Sequence, residues 1–280
     1  MNLILRPIAA EFQKILTTRM WWILALVLFG YIALLAGGLS ALFGGVESGA
    51  ISPDSMSTGG GGDSSLSGLG SLPPLIYSFA ASVGYVFPVL LGALATTGEF
   101  RHQTLTPTFL ATPKRGGVLG AKTLALFVVG AGLGLVALAA SVGIGALVLG
   151  GFGVDPLLAD GETWALIGRT VLAMALWAVI GVGLGALVPS QVASIVIVLA
   201  FTQFVEPLLR FAAAFTEVTA DIGKFLPGAA SDALVGASFF TLASPGGTVL
   251  EPWQGGLVLL AYGLVATVGG YFISWKRDVT

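Results

Sequence analysis

Cysteine is absent from this chain of 280 residues, so neither a disulfide framework nor a thiolate metal site can be drawn on it, and its redox compartment cannot be read from this feature. Charge is scarce: Asp, Glu, Lys and Arg make up 9% of the residues, against about a quarter in soluble globular domains. Histidine occurs once, at His102. The opening MNLILRPIAAEFQKILTTRMWW lacks the basic head, short apolar run and small-residue cleavage site of a signal peptide, and is expected to stay on the chain. No repeat of fixed period is visible. What fills the chain is apolar: 56% of residues are hydrophobic and the mean hydropathy is +0.96, the composition of an integral membrane protein. The formal net charge of -2 says little about partners, because the placement of charge matters more than its sum in such proteins. Membrane lipid is the expected surrounding, and no nucleic-acid partner is expected.

A helix needs about 20 apolar residues, each rising about 1.5 Å, to cross about 30 Å of hydrocarbon. Six stretches qualify, at 20–43, 76–96, 118–150, 165–188, 192–214 and 255–275, giving a single all-α transmembrane domain over residues 1–280. The third is 33 residues long, so it must tilt, break at its glycines or project into water. Trp21, Trp22, Trp164, Trp253 and Trp275 fall at the predicted boundaries, as an aromatic belt would.

Lysine and arginine in short loops mark the cytoplasmic side. Nine of the twelve basic residues sort to one side: Arg6, Lys14 and Arg19 before the first span; Arg101, Lys114, Arg115 and Lys122 between the second and third; Lys276 and Arg277 at the end. The opposite loops are acidic, with Glu47, Asp54 and Asp63 in the first, Asp155, Asp160 and Glu162 in the second, and Glu217, Asp221, Asp232 and Glu251 against Lys224 in the third. Both termini are therefore expected in the cytosol. Before the first span, Leu5, Ile8, Phe12 and Ile15/Leu16 recur at three- and four-residue spacing, which predicts an amphipathic helix in the membrane interface within residues 1–19.

Residues 44–75 contain 17 Gly and Ser out of 32, a composition that predicts a flexible extracellular tether. The connection at 215–254 differs. It mixes apolar pairs such as Phe239 and Phe240 with Pro and Gly breaks, and short interfacial or re-entrant helices suit it better than open coil.

The polar loop GEFRHQTLTPTFLATPKR, residues 98–115, concentrates five ionisable groups (Glu99, Arg101, His102, Lys114 and Arg115) between two apolar spans. Thr96 or Thr97 could cap a short helix there, with Glu99 in its first turn, and Pro107 and Pro113 would punctuate a compact knob with Phe100, Leu105, Phe109 and Leu110 on its apolar faces. Two roles fit such a knob: a topology determinant touching headgroups, or a docking surface for a soluble partner. TTGEFRHQTLTPTFLATPKRGGVLGAK, residues 96–122, resembles the cytoplasmic loop of bacterial ABC-2 type transporter permeases, in which a Glu-Phe-Arg-His-x-Thr run precedes Thr-Pro-Thr and then Thr-Pro-Arg/Lys-Arg. Weaker similarity covers the rest of the chain: the amphipathic lead-in, the six spans, the turn at Val188-Pro189-Ser190-Gln191 and the long segment before the sixth span. Two features depart from the pattern, the long Gly/Ser tether and Gln103, where glycine is more usual. The resemblance implies a type V exporter-like fold with a cytoplasmic coupling helix. It also implies that Glu99, Phe100, Arg101, His102, Thr104, Thr106, Lys114 and Arg115 meet an ATP-hydrolysing subunit, expected in two copies.

GGVLGAKT comes within one residue of a phosphate-binding loop, but a P-loop needs a preceding strand, whereas Pro-Lys-Arg precedes this segment and a span follows it. No nucleotide site or other cofactor is therefore expected on this chain; ATP and Mg would sit on the partner subunit. Glu206 and Arg210 stand four apart on the fifth span and can pair on one face, with Gln203 a turn earlier. They read either as the polar lining or gate of a translocation path or as an interfacial ion pair ending a helix beside Pro207. Arg169 is expected to snorkel. Gly130/Gly134 and Gly181/Gly185 permit close helix approach, within the chain or at a dimer seam. An intramembrane enzyme would need a Ser/His pair, paired aspartates or a metal cluster at depth, yet no Asp lies in a predicted span.

The expectation is thus a permease subunit, not an enzyme, in a bacterial inner membrane, paired with a second permease chain as homodimer or heterodimer and driven by ATP hydrolysis elsewhere. Export of a drug, antibiotic peptide or lipid-like amphiphile is the expected direction. A non-transporting sensor or assembly component and a lone ion-coupled transporter are the alternatives.

Overall fold

The computed structural model describes residues 5–51, 71–112, 114–213, 217–238 and 249–276. Among these the chain is helical and no strand occurs. Six helical runs are long and apolar enough to cross a membrane: Met20–Glu47, Leu72–Arg101, Arg115–Gly151, Gly161–Leu187, Gln191–Ala213 and Pro252–Trp275. The interior of the predicted tether, 52–70, lies outside the described residues, as do Pro113, Phe239 and Phe240.

The amphipathic lead-in forms α1 (Leu5–Thr17), closed by the Thr17 hydroxyl donating to the Gln13 carbonyl at 2.7 Å. The first span, α2 (Met20–Glu47), follows after a two-residue break. The second span is two helices, α3 (Leu72–Ser82) and α4 (Val86–Arg101), interrupted at 83–85. Pro88 has no N–H to give Gly84, so the helix cannot be wound evenly through this point. After the short α5 (Leu105–Ala111) comes α6 (Arg115–Gly151), which runs unbroken through its glycines for about 55 Å.

Helix α7 (Gly161–Leu187) is the centre of the bundle, packed on α4, α6 and the last span. It starts on Asp160, whose carboxylate accepts the Glu162 N–H at 3.3 Å, and that first turn also holds the acidic Glu162. Both glycine pairs are used here, inside one chain. A methyl group on Gly130 would lie 2.6 Å from the Ala178 Cβ, and one on Gly134 3.1 Å from the Met174 Cβ. Gly181 faces the Val89 carbonyl and Gly185 the Ala93 carbonyl, so they let α7 approach the α4 backbone.

The turn at Val188–Ser190 leads into α8 (Gln191–Ala200), capped by the Ser190 hydroxyl. A wide-turn segment, Phe201–Val205, joins it to α9 (Glu206–Ala213). Pro207 cannot donate to the carbonyl a turn before it, and the extra residue in the turn absorbs that loss. Short helices do occupy the predicted re-entrant connection: α10 (Glu217–Gly223) and α11 (Pro227–Val235), the latter buried against α3, α7 and the last span. The last span, α12 (Pro252–Gly270), opens with a reciprocal cap between Glu251 and Gln254 and ends in a second wide turn, Tyr271–Trp275.

Candidate functional site

Two polar constellations lie at opposite ends of this bundle. The first gathers the N-terminal helix, the polar loop, the α7–α8 turn and the C-terminal end, since Lys14 meets Glu99, Arg101 meets Gln191 and Arg115 meets Lys276.

The helix start expected at Thr96–Thr97 is not there. Both hydroxyls donate backward, to the Gly92 and Ala93 carbonyls at 2.9 and 2.8 Å, and α4 continues to Arg101. Glu99 therefore stands in a last turn, where the helix dipole disfavours a carboxylate, and its compensation comes from ammonium groups instead. Lys14 Nζ lies 3.0 Å and Lys122 Nζ 3.1 Å from Glu99 Oε1; the same two lysines reach Glu11 at 2.6 and 2.5 Å. Glu11, Lys14, Glu99 and Lys122 form a closed ring of alternating charge that ties α1 to α4 and α6. Glu11 is 3% exposed, Glu99 6% and Lys122 2%, so these three face the protein interior, while Lys14 keeps 41% of its side chain exposed. Burial pushes the Glu11 carboxyl upward, but the Lys122 and Lys14 ammonium groups outweigh it and hold the carboxyl below its ordinary 4.5. Lys14 is pushed down by burial and lifted above 10.5 by Glu11 and Glu99.

The loop turns at 102–104, where the Thr104 N–H donates to the Glu99 carbonyl at 3.0 Å and Gln103 adopts φ +54°. Glycine enters that left-handed region freely; another residue is strained there by about 1 kcal/mol. Helix α5 then packs inward through Leu105, fully buried, and Phe109. Phe100 and Phe109 both meet the ring of Trp275 edge-on, with centroids 5.6 and 5.9 Å apart. The Trp275 indole donates to the Arg115 carbonyl at 3.1 Å, and the Arg115 guanidinium stacks on Phe109 at 5.0 Å while donating to the Lys276 carbonyl at 2.8 Å. Trp275, expected in an interfacial belt, is instead completely buried beneath the loop. Pointing outward are Arg101, His102, Thr104, Thr106 and Lys114, together with Leu110, which was expected on an apolar inner face and is 80% exposed. Arg101 donates to Gln191 at 2.9 Å.

The second constellation lies where α9 meets α3 and α11. Glu206 and Arg210 pair as their spacing predicts, at 3.3 Å, but a third partner joins them: Asp232 of α11, 2.7 Å from Arg210. Asp232 also accepts the Ser82 hydroxyl at 3.0 Å, and Glu206 Oε1 accepts the Gly228 N–H at 2.5 Å. Glu206 and Asp232 are 2% and 4% exposed, while Arg210, in the last turn of α9, keeps 17% of its side chain exposed. They border a cavity of about 110 Å³ whose wall includes Ser82, Tyr85, Thr202 and Gln203. Both interrupted helices meet at this cavity, at Val83 and at Thr202–Gln203. Arg169 stands apart, one-third exposed and 3.7 Å from Glu162.

Sequence reasoning did not single out Glu11, and it placed Lys122 among the loop cations, Trp275 in the aromatic belt and Asp232 among the loop acids without seeing the contacts they make. Lys122 and Glu11 carried a usable signal, as charges set among apolar residues at helical spacing; Asp232 carried a weaker one, lying between Pro227 and Gly236 in a run short enough for a buried helix. No protein-family model matches this chain, and no curated protein matches it either.

Proposed function

We propose that this chain is the membrane-spanning subunit of an ATP-binding cassette exporter of the ABC-2 type, working in a bacterial plasma membrane with both termini in the cytosol. The observation that carries this reading is the build of the loop at 98–115. Its tip presents Arg101, His102, Thr104, Thr106 and Lys114 to solvent, while its base is held by Trp275 on one side and by the ring of Glu11, Lys14, Glu99 and Lys122 on the other. A surface so mounted can receive a push and pass it to α1, α4, α6 and α12 together without folding away. The ATP-binding subunit is the partner that would supply the push, two such permease chains would flank the path, and the two halves would rock between inward- and outward-facing states. Of the residues implied by family resemblance, Glu99, Phe100 and Arg115 serve the mount, and the others serve the contact. The two interrupted helices beside buried Glu206 fit the same reading, since transporters place discontinuous helices around polar sites.

The test is co-purification of this chain with a co-expressed ATP-binding subunit of the cassette type. Thr106→Trp adds bulk at an exposed position and is expected to abolish association and stimulated ATP hydrolysis while the six-span fold persists by circular dichroism. Undiminished association and ATPase stimulation in that variant would remove the docking role. One observation favours a second reading, ion-coupled transport by this chain alone: the buried carboxylates Glu206 and Asp232. Solute movement by the reconstituted chain without ATP would establish that reading in its place.

A further inference from the structure

The geometry points to the cavity beside Glu206 as a binding site for a protonated primary amine, the cationic head of an amphiphilic ligand. Glu206 is almost wholly buried, and while its Oε1 is engaged by Arg210 and Gly228, its Oε2 has no hydrogen-bond partner. A buried carboxylate oxygen left without a donor costs on the order of 1–3 kcal/mol or more, and Glu206 is one of the residues that border the cavity. Two carboxylates, Glu206 and Asp232, share one guanidinium, Arg210, which also borders the cavity.

The hydroxyls of the wall are directed the same way. Ser82 gives its proton to Asp232, Tyr85 to the Thr202 carbonyl and Thr202 to the Val198 carbonyl. Their protons are thus spent on protein acceptors, and the Thr202 oxygen also accepts from the Gln203 amide at 3.4 Å. A cavity bordered by two carboxylates to one guanidinium, with its hydroxyl protons already spent, favours a positively charged group rich in N–H donors, which an ammonium is and a neutral alcohol or an anion is not. Tyr85, stacked on Trp177 with centroids 4.4 Å apart, adds an aromatic surface that favours a cation. At about 110 Å³ the space is well below the roughly 300–1,000 Å³ of a site that encloses a whole drug-sized ligand. It suits a head group with the first atoms of its chain, the remainder extending along α9 and α3. That the ligand is cargo rests on the exporter reading; that it binds does not.

The experiment is calorimetric titration of the full chain in lipid nanodiscs with n-hexylammonium at fixed ionic strength, with the signal of empty nanodiscs subtracted. We expect one saturable site per chain, much weaker binding of 1-hexanol and of n-hexyltrimethylammonium, and loss of affinity by about tenfold or more in Glu206→Gln. The wild-type comparison among the three probes needs no variant, so it decides the matter even if Glu206→Gln does not fold. Equal binding of 1-hexanol would make the cavity merely apolar and overturn the proposal; so would unaltered affinity in a folded Glu206→Gln, or competition by millimolar sodium, which would assign the space to an alkali ion. Saturable, Glu206-dependent amine binding by a chain that fails to associate with its ATP-binding subunit would uphold the site and remove the exporter reading. An intact ATPase complex without amine binding would do the reverse.

Discussion

Lys122 is among the most deeply enclosed side chains of the molecule, and nothing about its neighbours in sequence compels a charge there. Glu11 and Glu99 converge on it from helices remote in the chain. A buried pair of this kind adds little net stability relative to apolar residues of the same volume, but removing one partner strands the other, at a cost of about 3–5 kcal/mol. Lys122→Met is therefore expected to lower stability by roughly that amount, while Glu11→Leu combined with Lys122→Met, which leaves Lys14 facing Glu99, costs less than the single change; thermal unfolding in detergent of the four species of the cycle measures it. Additive losses would mean that the ring is not a coupled unit. The ring is also sensitive to pH in a definite sense. Because the Glu11 carboxyl is held below 4.5, its contribution is complete above that value and is lost as pH falls through the depressed one; because Lys14 is raised above 10.5, its contribution is complete below that value and is lost as pH rises through the raised one. Glu11→Gln should flatten the acid limb and leave the alkaline limb dependent on Glu99.

Among the elements, α5 has too few residues to hold itself together in water, and its shape is imposed by what lies under it. Trp275 supports it through an edge-to-face contact with Phe109 and anchors the chain on either side of it through the Phe100 ring and the Arg115 carbonyl, beside the buried Leu105. Replacing it by alanine should cost about 3–5 kcal/mol locally and free α5 from the bundle. The expected result is rapid proteolysis and hydrogen exchange across 102–114 in Trp275→Ala, with the spans still protected; protection of the loop equal to that of the native chain would show that another contact carries it. The same contacts explain what the sequence could and could not disclose. Span positions were legible because a run of about 20 apolar residues has few other uses, and the pairing of Glu206 with Arg210 was legible because helical spacing sets it. The course of the chain at 96–101 was not. The Thr96 and Thr97 hydroxyls suit a helix start or a bond back into the preceding turn equally well by local chemistry, and the choice falls to Glu99, whose partners arrive from α1 and α6. Asp232 escaped for a related reason, since its place among loop acids changes only once α11 folds inward beneath α9.

At the scale of the whole molecule, the two constellations fit the division of labour that the proposed ATP-driven transport would require. The end bearing both termini has a stiff, neutralised base and a polar exposed tip, suited to receiving force; the far end has a cavity bordered by two carboxylates and a guanidinium at the junction of two interrupted helices, suited to holding something. Central α7 connects them, and its small residues on both flanks place α4 and α6 in direct contact with it, so displacement at one end is carried by packed backbone. This division requires the two ends to face different compartments, with the basic one in the cytosol. The absence of native cysteine makes that directly measurable. Single substitutions His102→Cys, at the exposed loop tip, and Gly161→Cys, at the exposed start of α7, leave every buried contact described above intact. In right-side-out vesicles a membrane-impermeant maleimide should label Gly161→Cys and spare His102→Cys, and in inside-out vesicles the pattern should reverse. Labelling of His102→Cys from outside would place the loop beyond reach of any cytosolic ATPase; the mount formed by Trp275 and the charged ring would then need a different partner, and the reading of this end as a receiver of ATP-driven force would fail.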